Sequence, residues 1–213
     1  MQILITGTTG GIGSAIKKTL SETGATIVEI NRNEIDFSSF SEIQNVSKTS
    51  LANTSFDWII FAHGYVDAEK EFQKQKPEEI EKIFAINTLS VIYLTQLFLK
   101  NIPAGGGIIY LSSTAALTSN GFTPAYSASK AAINTFAQAI SRNQSHLSLY
   151  SICPGPTATP MLEKLKGDMA RAQSPDAVAQ LIKNLIEKKT DYKSGDLIEL
   201  RNGQPRLAAH LPD

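Results

Sequence analysis

Short apolar runs alternate along the chain with longer stretches in which apolar residues recur every three or four positions. The runs predict buried strands at residues 2–6, 26–30, 58–62, 108–111, 147–153 and 197–200. The stretches between them predict amphipathic helices. Because strand and helix alternate without a linker or repeat, the pattern predicts a single α/β domain over residues 1–213. It would have a doubly wound parallel sheet with helices on both faces.

One polar residue interrupts an apolar helix face. Residues 77–98 carry an apolar stripe at helical spacing, and Asn87 falls on that stripe. A buried amide must find hydrogen-bond partners. Asn87 therefore either satisfies neighbouring backbone groups or holds a water molecule in a site.

Composition narrows the function classes. The chain has 20 basic and 20 acidic side chains, so no excess charge points to nucleic acid or an anionic membrane as partner. Its one cysteine, Cys153, excludes an internal disulfide and fits a cytoplasmic location. The histidines His63, His146 and His210 are far apart, which argues against a metal site. We also expect no signal peptide and no membrane span.

Glycines follow the first predicted strand. Gly7, Gly11 and Gly13 form the pattern Thr-Gly-x-x-x-Gly-x-Gly directly before an amphipathic helix. A loop without Cβ atoms lets backbone N–H groups and a helix N-terminus close around a pyrophosphate. A compact connection would also use glycines, but the position after the first strand favours a dinucleotide site in a Rossmann-type sheet.

The end of the second strand helps to distinguish NAD from NADP. An acid there would bind the ribose 2′-hydroxyl of NAD, whereas a nearby arginine accommodates the 2′-phosphate of NADP. The chain has Asn31-Arg32-Asn33 at this point and no acid in position. NADP is therefore favoured over NAD, although Arg32 also fits a solvated turn.

Small and polar residues end two further strands. Ala62, His63 and Gly64 follow one strand, and Ser112 and Ser113 follow the next. Open parallel sheets bind ligands at these carboxyl ends. His63 and Ser113 are thus candidate site residues, and a purely structural role stays open for each.

A tyrosine and a lysine stand four residues apart in the stretch Ala-Tyr-Ser-Ala-Ser-Lys. On a helix, Tyr126 and Lys130 share one face. A nearby ammonium favours the phenolate and lowers the tyrosine pKa, which is about 10 in the free residue. Tyr126 is therefore a candidate general acid or base near neutral pH. The spacing alone also fits a solvated helix pair.

With the glycine loop, Asn87, Ser113, Tyr126 and Lys130 in this order, the chain resembles the short-chain dehydrogenase/reductase family over nearly its whole length. The 13-residue spacing between Ser113 and Tyr126 is usual in that family and favours Ser113 over Ser112. The resemblance implies an NADP-preferring oxidoreductase that moves hydride between NADP(H) and a small-molecule carbonyl or alcohol.

The resemblance also implies a role for each matching residue. Tyr126 would transfer the proton, and Lys130 would hold the cofactor ribose and lower the tyrosine pKa. Ser113 would bind the carbonyl oxygen, and Asn87 would position a water in a proton relay. Besides Asn87, Tyr126 and Lys130, the implied dinucleotide contacts are Gly7, Thr9, Gly11, Ile12, Gly13, Asn31, Arg32, Asp36, Ala62, His63, Gly64, Pro154, Gly155, Thr157 and Thr159.

Three features depart from the family pattern. The usual Asn-Asn-Ala-Gly reads Phe-Ala-His-Gly at residues 61–64, so contacts near the adenosine are expected to differ. Asp36 matches the family's adenine-contacting aspartate only loosely. The loop after Thr159 is abbreviated, because the next helix is predicted near Ser174. A small lid implies an open site or a bulky or protein-borne substrate.

Two further expectations concern partners and class. The resemblance implies a homodimer or homotetramer formed through the helices that start near Pro77 and Pro124. A dinucleotide sensor without turnover is the alternative function. Such sensors usually lack the tyrosine or the lysine, and this chain has both.

Overall fold

The structure, a computed structural model, describes residues 1–69, 71–118 and 123–209. Within these ranges, seven strands form one sheet. They are β1 (Gln2–Thr6), β2 (Thr26–Ile30), β3 (Trp58–Phe61), β4 (Gly107–Leu111), β5 (Ser148–Pro154), β6 (Leu197–Arg201) and β7 (Gln204–Ala209). The order across the sheet is β2-β1-β3-β4-β5-β6-β7. All neighbours pair in parallel except β6 and β7, which are antiparallel.

Helices connect the parallel strands. They are α1 (Gly11–Ser21), α2 (Phe40–Val46), α3 (Pro77–Phe84), α4 (Ser90–Phe98), α5 (Pro124–Asn143), α6 (Pro160–Lys164) and α7 (Pro175–Ile186). A π-helical turn, Ala85–Leu89, joins α3 to α4 where the sequence predicts one regular helix. The predicted start of α7 is confirmed, because the Ser174 hydroxyl accepts the Asp176 N–H at 3.1 Å.

The central strands of the sheet are buried on both faces. Ile60 of β3 lies in one core with residues of α1 and α7, whereas its neighbour Ile59 lies in the other core with residues of α4 and α5. Both side chains are fully buried. A strand buried on both faces needs apolar residues at every position, which is why these strands read as continuous apolar runs. The predicted doubly wound α/β fold is confirmed.

The hairpin that ends the sheet is not predicted from the apolar pattern. The turn residues Asn202 and Gly203 have φ angles of 51° and 71°. An Asn-Gly pair with two positive φ angles is typical of a two-residue hairpin and is the sequence signal for β7. The hairpin places Arg206 on the buried carboxylate of Glu199, 2.5 Å away.

The stretch Pro77–Asn101 is long and apolar enough to cross a membrane by length and composition, with a mean hydropathy of 1.4 and 44% of its most apolar window buried. Ile83, Leu94 and Phe98 are fully buried within it. Leu94 and Phe98 lie in the same core as Ile59 of the sheet. We interpret the stretch as a core element of the α/β fold.

No cluster of metal-ligating side chains occurs in the part of the chain that the structure describes. His63 is buried after β3, and His146 lies before β5. His210 lies outside the described residues.

Two buried serines give a stability test. Ser151 of β5 is 1% exposed, and its hydroxyl has no hydrogen-bond partner among the described residues. Ser112, also buried, donates to the Lys130 carbonyl at 3.1 Å. An unpaired buried hydroxyl costs free energy, so Ser151→Ala is expected to raise the free energy of unfolding by about 1 kcal/mol. Ser112→Ala is expected to lower it by about 1 kcal/mol. Urea denaturation of both variants measures the difference, and equal effects would contradict this account.

Candidate active site

The loop between β1 and α1 forms a backbone cradle. Gly7 has a φ of 75°, and a Cβ there would lie 2.7 Å from the His63 backbone. A Cβ on Gly11 would lie 2.6 Å from the Thr159 methyl carbon, and one on Gly13 would collide with the Gly7 carbonyl. No side chain caps the N-terminus of α1, and its first turn contains no acidic residue. The cradle therefore offers helix N–H groups and a positive dipole end to an anion.

Residues at the end of β2 hold the glycine loop in place by hydrogen bonds. The Asn31 side-chain carbonyl accepts the Thr8 hydroxyl at 3.0 Å and the Thr9 N–H at 3.3 Å. The Thr8 hydroxyl also contacts Glu29, so its one proton is shared between the Asn31 and Glu29 oxygens. Glu29 pairs with Lys17 at 2.6 Å. The bonds from Lys17 and Thr8 lower the Glu29 pKa. The Asn31 amide is thus used to hold the glycine loop.

Arg32 and Asp36 lie in the loop between β2 and α2. Arg32 is exposed, and its guanidinium has no ion pair or hydrogen bond within the described residues. Asp36 accepts the Ser38 N–H at 2.8 Å and the Ser38 hydroxyl at 2.7 Å, which lowers its pKa. Arg32 is therefore available to a ligand, whereas Asp36 caps a turn.

The two serines after β4 point to different partners. Ser112 is turned inward onto the Lys130 carbonyl. Ser113 accepts the Ala115 N–H at 3.1 Å, and it hydrogen-bonds the Tyr126 side chain, which lowers the tyrosine pKa in part. A serine lowers a tyrosine pKa by donating to the phenolic oxygen, so the one hydroxyl proton of Ser113 is directed at Tyr126. These contacts favour Ser113 over Ser112 as the partner of Tyr126.

The expected pKa of Tyr126 is wrong for this structure. Burial raises the pKa of the phenol, and the Ser113 hydrogen bond offsets only part of that rise. Lys130 does not lower it, because the lysine ammonium is held elsewhere, on the Leu111 carbonyl at 2.7 Å. Burial also lowers the pKa of Lys130 to about 8. At neutral pH the charged form of buried Lys130 is therefore favoured over the neutral form, but only weakly.

Asn87 is completely engaged by protein groups. Its side-chain oxygen accepts the Tyr65 N–H at 2.7 Å, and its amide donates to the Tyr65 carbonyl at 2.8 Å and to Ser129 at 3.0 Å. Of the two readings of this residue, the contacts favour satisfaction of neighbouring backbone. A Cβ on Gly64 would lie 3.4 Å from the Asn87 side-chain oxygen and 3.5 Å from Lys130 Nζ, so all three residues meet at one point.

His63 turns its side chain away from the ligand edge. The imidazole is 6% exposed and lies between the Thr6 and Ser90 hydroxyls, 2.6 and 2.7 Å away. Phe37 stacks on it with ring centroids 3.9 Å apart. Burial lowers the His63 pKa to about 3, with a further contribution from the Lys130 charge. The His63 side chain is thus not available to a dinucleotide. Only the His63 backbone, beside Gly7, can make the predicted contact.

The loop after β5 runs back over the glycine loop. Gly155 donates its N–H to Leu200 at 2.8 Å. Thr157 is buried, and its hydroxyl bonds the Gly155 carbonyl and the Gln173 amide. Thr159 caps α6 and lies against Gly11. The Thr157 hydroxyl is used internally, so Thr159 is the better placed of the two predicted threonines.

Helix α6 follows Thr159 directly and was not predicted. Lys164 at its end donates to the Val66 carbonyl at 3.2 Å and lies 4.8 Å from the centre of the Tyr65 ring. This contact joins the segment that follows β5 to the segment that follows β3. Helix α6 has only five residues, so the segment after Thr159 is short, and whether the site is open or takes a bulky or protein-borne substrate stays a prediction.

Sequence reasoning missed Tyr65, Lys164 and Gln173. Lys164 and Val66 are 98 positions apart, so no local pattern relates them. Gln173 joins Thr157, the Leu200 carbonyl and the Gly203 N–H. It is a buried amide in a polar segment, and only the β5–β6 pairing brings its partners together.

Comparisons with known proteins agree with this geometry. A sequence profile of the short chain dehydrogenase family matches residues 34–170. The 3beta-hydroxysteroid dehydrogenase of Mediterraneibacter gnavus is 26% identical, over 89% of this chain and 80% of that protein. A 3-ketoacyl-(acyl-carrier-protein) reductase from Brucella melitensis complexed with NADH has a TM-score of 0.83 at 18% identity, over 95% of this chain and 97% of its own. A small-chain dehydrogenase in complex with NADPH has a TM-score of 0.81 at 19% identity, over the same shares.

The depressed pKa of Lys130 predicts a pH-dependent stability. Between its folded pKa of about 8 and its ordinary value of 10.5, the unfolded chain binds a proton that the folded chain has released. The wild type should therefore gain stability as the pH rises, by about 1 kcal/mol between pH 8 and 9, relative to Lys130→Met. Urea denaturation of both proteins at pH 7, 8 and 9 measures this gain. Both proteins are compared in a Cys153→Ser background, because the charge of Cys153 interacts with Lys130 and would not cancel. A difference that is flat with pH would contradict the assignment.

Proposed function

This chain is a member of the short-chain dehydrogenase/reductase family, and from that premise we propose that it is an NADP-preferring oxidoreductase of small-molecule carbonyls and alcohols. The observation that carries the proposal is the position of buried Lys130, whose ammonium donates to the Leu111 carbonyl two residues before Ser113 at 2.7 Å and which follows Tyr126 by four residues in the same helix. Ser113, Tyr126 and Lys130 lie next to a glycine cradle at the carboxyl ends of parallel strands, where such sheets bind ligands.

The cradle fits a dinucleotide. A Cβ at Gly7, Gly11 or Gly13 would fill the space or strike a neighbour, and the uncapped N-terminus of α1 suits a pyrophosphate. Thr159 lies beside Gly11, at the edge of the cradle that faces the β5 loop. When bound, the dinucleotide supplies or accepts the hydride.

Arg32 supports the preference for NADP. It follows β2 directly, it is exposed, and nothing in the described chain neutralises it. Asn31 beside it is occupied by Thr8 and Thr9. The acids at this point are engaged within the protein, since Glu34 accepts the Asn31 N–H at 2.5 Å and Glu29 pairs with Lys17. Proteins of the same fold are bound to NADH in one case and NADPH in another. The choice in this chain therefore rests on Arg32.

Tyr126 and Ser113 are proposed to act on the substrate oxygen. In reduction, the Tyr126 phenol gives its proton to that oxygen, and in oxidation it takes the proton back. Ser113 turns its hydroxyl proton from Tyr126 to the same oxygen and stabilises the charge that develops there. Lys130, a cation at neutral pH, offers its ammonium to the ribose hydroxyls of the dinucleotide. Asn87 supports these residues indirectly, because its side-chain amide hydrogen-bonds Tyr65 and Ser129.

The alternative function is a dinucleotide sensor without turnover. Tyr126 and Lys130 speak against it, because such sensors usually lack the tyrosine or the lysine and this chain has both. We further propose a cytoplasmic location, which fits a chain with one buried cysteine. A homodimer or homotetramer is likewise a proposal.

Tyr126→Phe tests the proton transfer. The variant keeps the ring but loses the proton, so turnover of any accepted carbonyl should fall by at least about a thousandfold, while dinucleotide affinity changes less than about threefold. Tyr150→Phe is the matched control, because its hydroxyl bonds the Tyr192 carbonyl at 3.4 Å and Tyr192 is not part of the proposed site. NADPH oxidation and cofactor fluorescence provide the two readouts. Wild-type turnover in Tyr126→Phe would refute the role.

Arg32→Ala tests the cofactor preference. Loss of a charge-assisted bond to the 2′-phosphate should weaken NADPH binding by about 10- to 100-fold and leave NADH binding nearly unchanged. Lys18→Ala removes the same charge from the last turn of α1 and should change neither affinity. Equal losses for NADPH and NADH, or no loss for either, would make Arg32 a solvated residue.

A further inference from the structure

His63 occupies a position at the meeting point of three segments. It follows β3 and lies between Thr6, at the end of β1, and Ser90, at the start of α4. The family pattern has a small residue at this position, so the imidazole is a feature of this chain's own sequence. Its side chain does not face the ligand edge, which raises the question of what it holds in place.

The hydrogen bonds around His63 have a single possible direction. The Ser90 hydroxyl donates its one proton to the Ile86 carbonyl at 2.6 Å, so it can only accept from His63 Nε2. Nε2 therefore carries the proton, and Nδ1 accepts from the Thr6 hydroxyl. The Thr6 oxygen in turn accepts the Ala62 N–H at 3.2 Å. The imidazole is neutral and fixed in one tautomer.

This chain of bonds ends on the π-helical turn that holds Asn87. The Ser90 N–H donates to the Ala85 carbonyl, five residues back, and so leaves the Ile86 carbonyl to which an α-helix would direct it. The Ser90 hydroxyl, supported by His63, bonds that carbonyl in its place. His63 thus stabilises the displaced turn at the residue just before Asn87.

Asn87 connects the turn to the proposed catalytic helix. Its amide donates to Ser129, and the Ser129 hydroxyl donates to the Tyr126 carbonyl at 2.7 Å. Thr88, the next residue of the turn, donates its hydroxyl to the Ser129 carbonyl at 3.0 Å. A shift of the turn would therefore move the first turns of α5, on which Tyr126 and Lys130 stand.

We propose that His63 is a positioning residue, which holds the π-helical turn in register so that Asn87 and Thr88 fix the segment of α5 that carries Tyr126 and Lys130. This role rests on the proposed function, since it acts through Tyr126. It differs from simple core packing, because packing needs only the ring that stacks on Phe37. The hydrogen bonds and the stacking can be separated by substitution.

Three variants make the separation. His63→Phe keeps an aromatic ring for Phe37 and removes both hydrogen bonds. Ser90→Ala removes the same link from the helix side with a smaller change in volume. Thr95→Val is the matched control, because Thr95 is a buried residue of the same helix whose hydroxyl contacts Tyr110 at 3.3 Å and does not reach the turn.

Steady-state kinetics provide the first readout. His63→Phe and Ser90→Ala should each lower kcat by at least about tenfold, with the KM for NADPH within about threefold of wild type. The double variant should lose no more than the larger single loss, because both residues act through one link. Thr95→Val should lose stability but keep its kcat. Wild-type kcat in the two single variants, or losses that multiply in the double variant, would overturn the proposal.

Side-chain amide NMR provides a second readout that needs no turnover. The Asn87 amide signals, identified by their absence in Asn87→Ala, should shift in His63→Phe and Ser90→Ala and stay in place in Thr95→Val. Unshifted signals would overturn the link between His63 and the turn. A wild type that turns over no carbonyl while these signals shift would instead refute the proposed function and leave the structural link supported. If His63→Phe does not fold, Ser90→Ala decides both readouts.

Discussion

Parallel strand pairing is the constraint on which the whole site depends. Because β1, β3, β4 and β5 run in the same direction, their carboxyl ends meet at one edge of the sheet. That edge collects the glycine cradle from β1, Gly64 from β3, Ser113 from β4 and Thr159 from β5. Residues spread over more than 150 positions thus become neighbours without any local signal that relates them. The register holds because every central strand is buried on both faces, where a slip would expose apolar side chains.

Behind this edge lies a buried polar layer in which nearly every group has a partner. His63, Asn87, Ser129 and Lys130 are all at most 6% exposed. Each one bonds backbone or a neighbouring side chain, as the cost of an unpaired buried polar group requires. A satisfied layer of this kind fixes the groups in front of it. Preorganised donors are most effective where their geometry does not have to change during the reaction.

The apolar periodicity of the sequence was sufficient to predict the fold, because the strands are continuous apolar runs and the helices carry apolar stripes, each with clear ends. The β1, β2 and α7 predictions agree with the structure for this reason. The π-helical turn at Asn87 was not predictable from spacing, since one extra residue in a turn leaves the apolar stripe almost unchanged. The pKa of Tyr126 was mispredicted because helical spacing gives proximity to Lys130 but does not reveal that Leu111 holds the ammonium. The contact between Lys164 of α6 and the Val66 carbonyl depends on the order of the strands, which the sequence alone left open.

The central claim is that this chain moves hydride between a nicotinamide dinucleotide and a carbonyl. The most direct test uses NADPH deuterated at the reactive carbon of the nicotinamide, incubated with purified protein and a panel of aldehydes, ketones and diketones. Mass spectrometry of the alcohol products then reports where the deuterium went. We predict deuterium on the carbinol carbon of at least one product, and none with Tyr126→Phe. Tight NADPH binding without deuterium in any product would contradict the claim and favour a dinucleotide sensor.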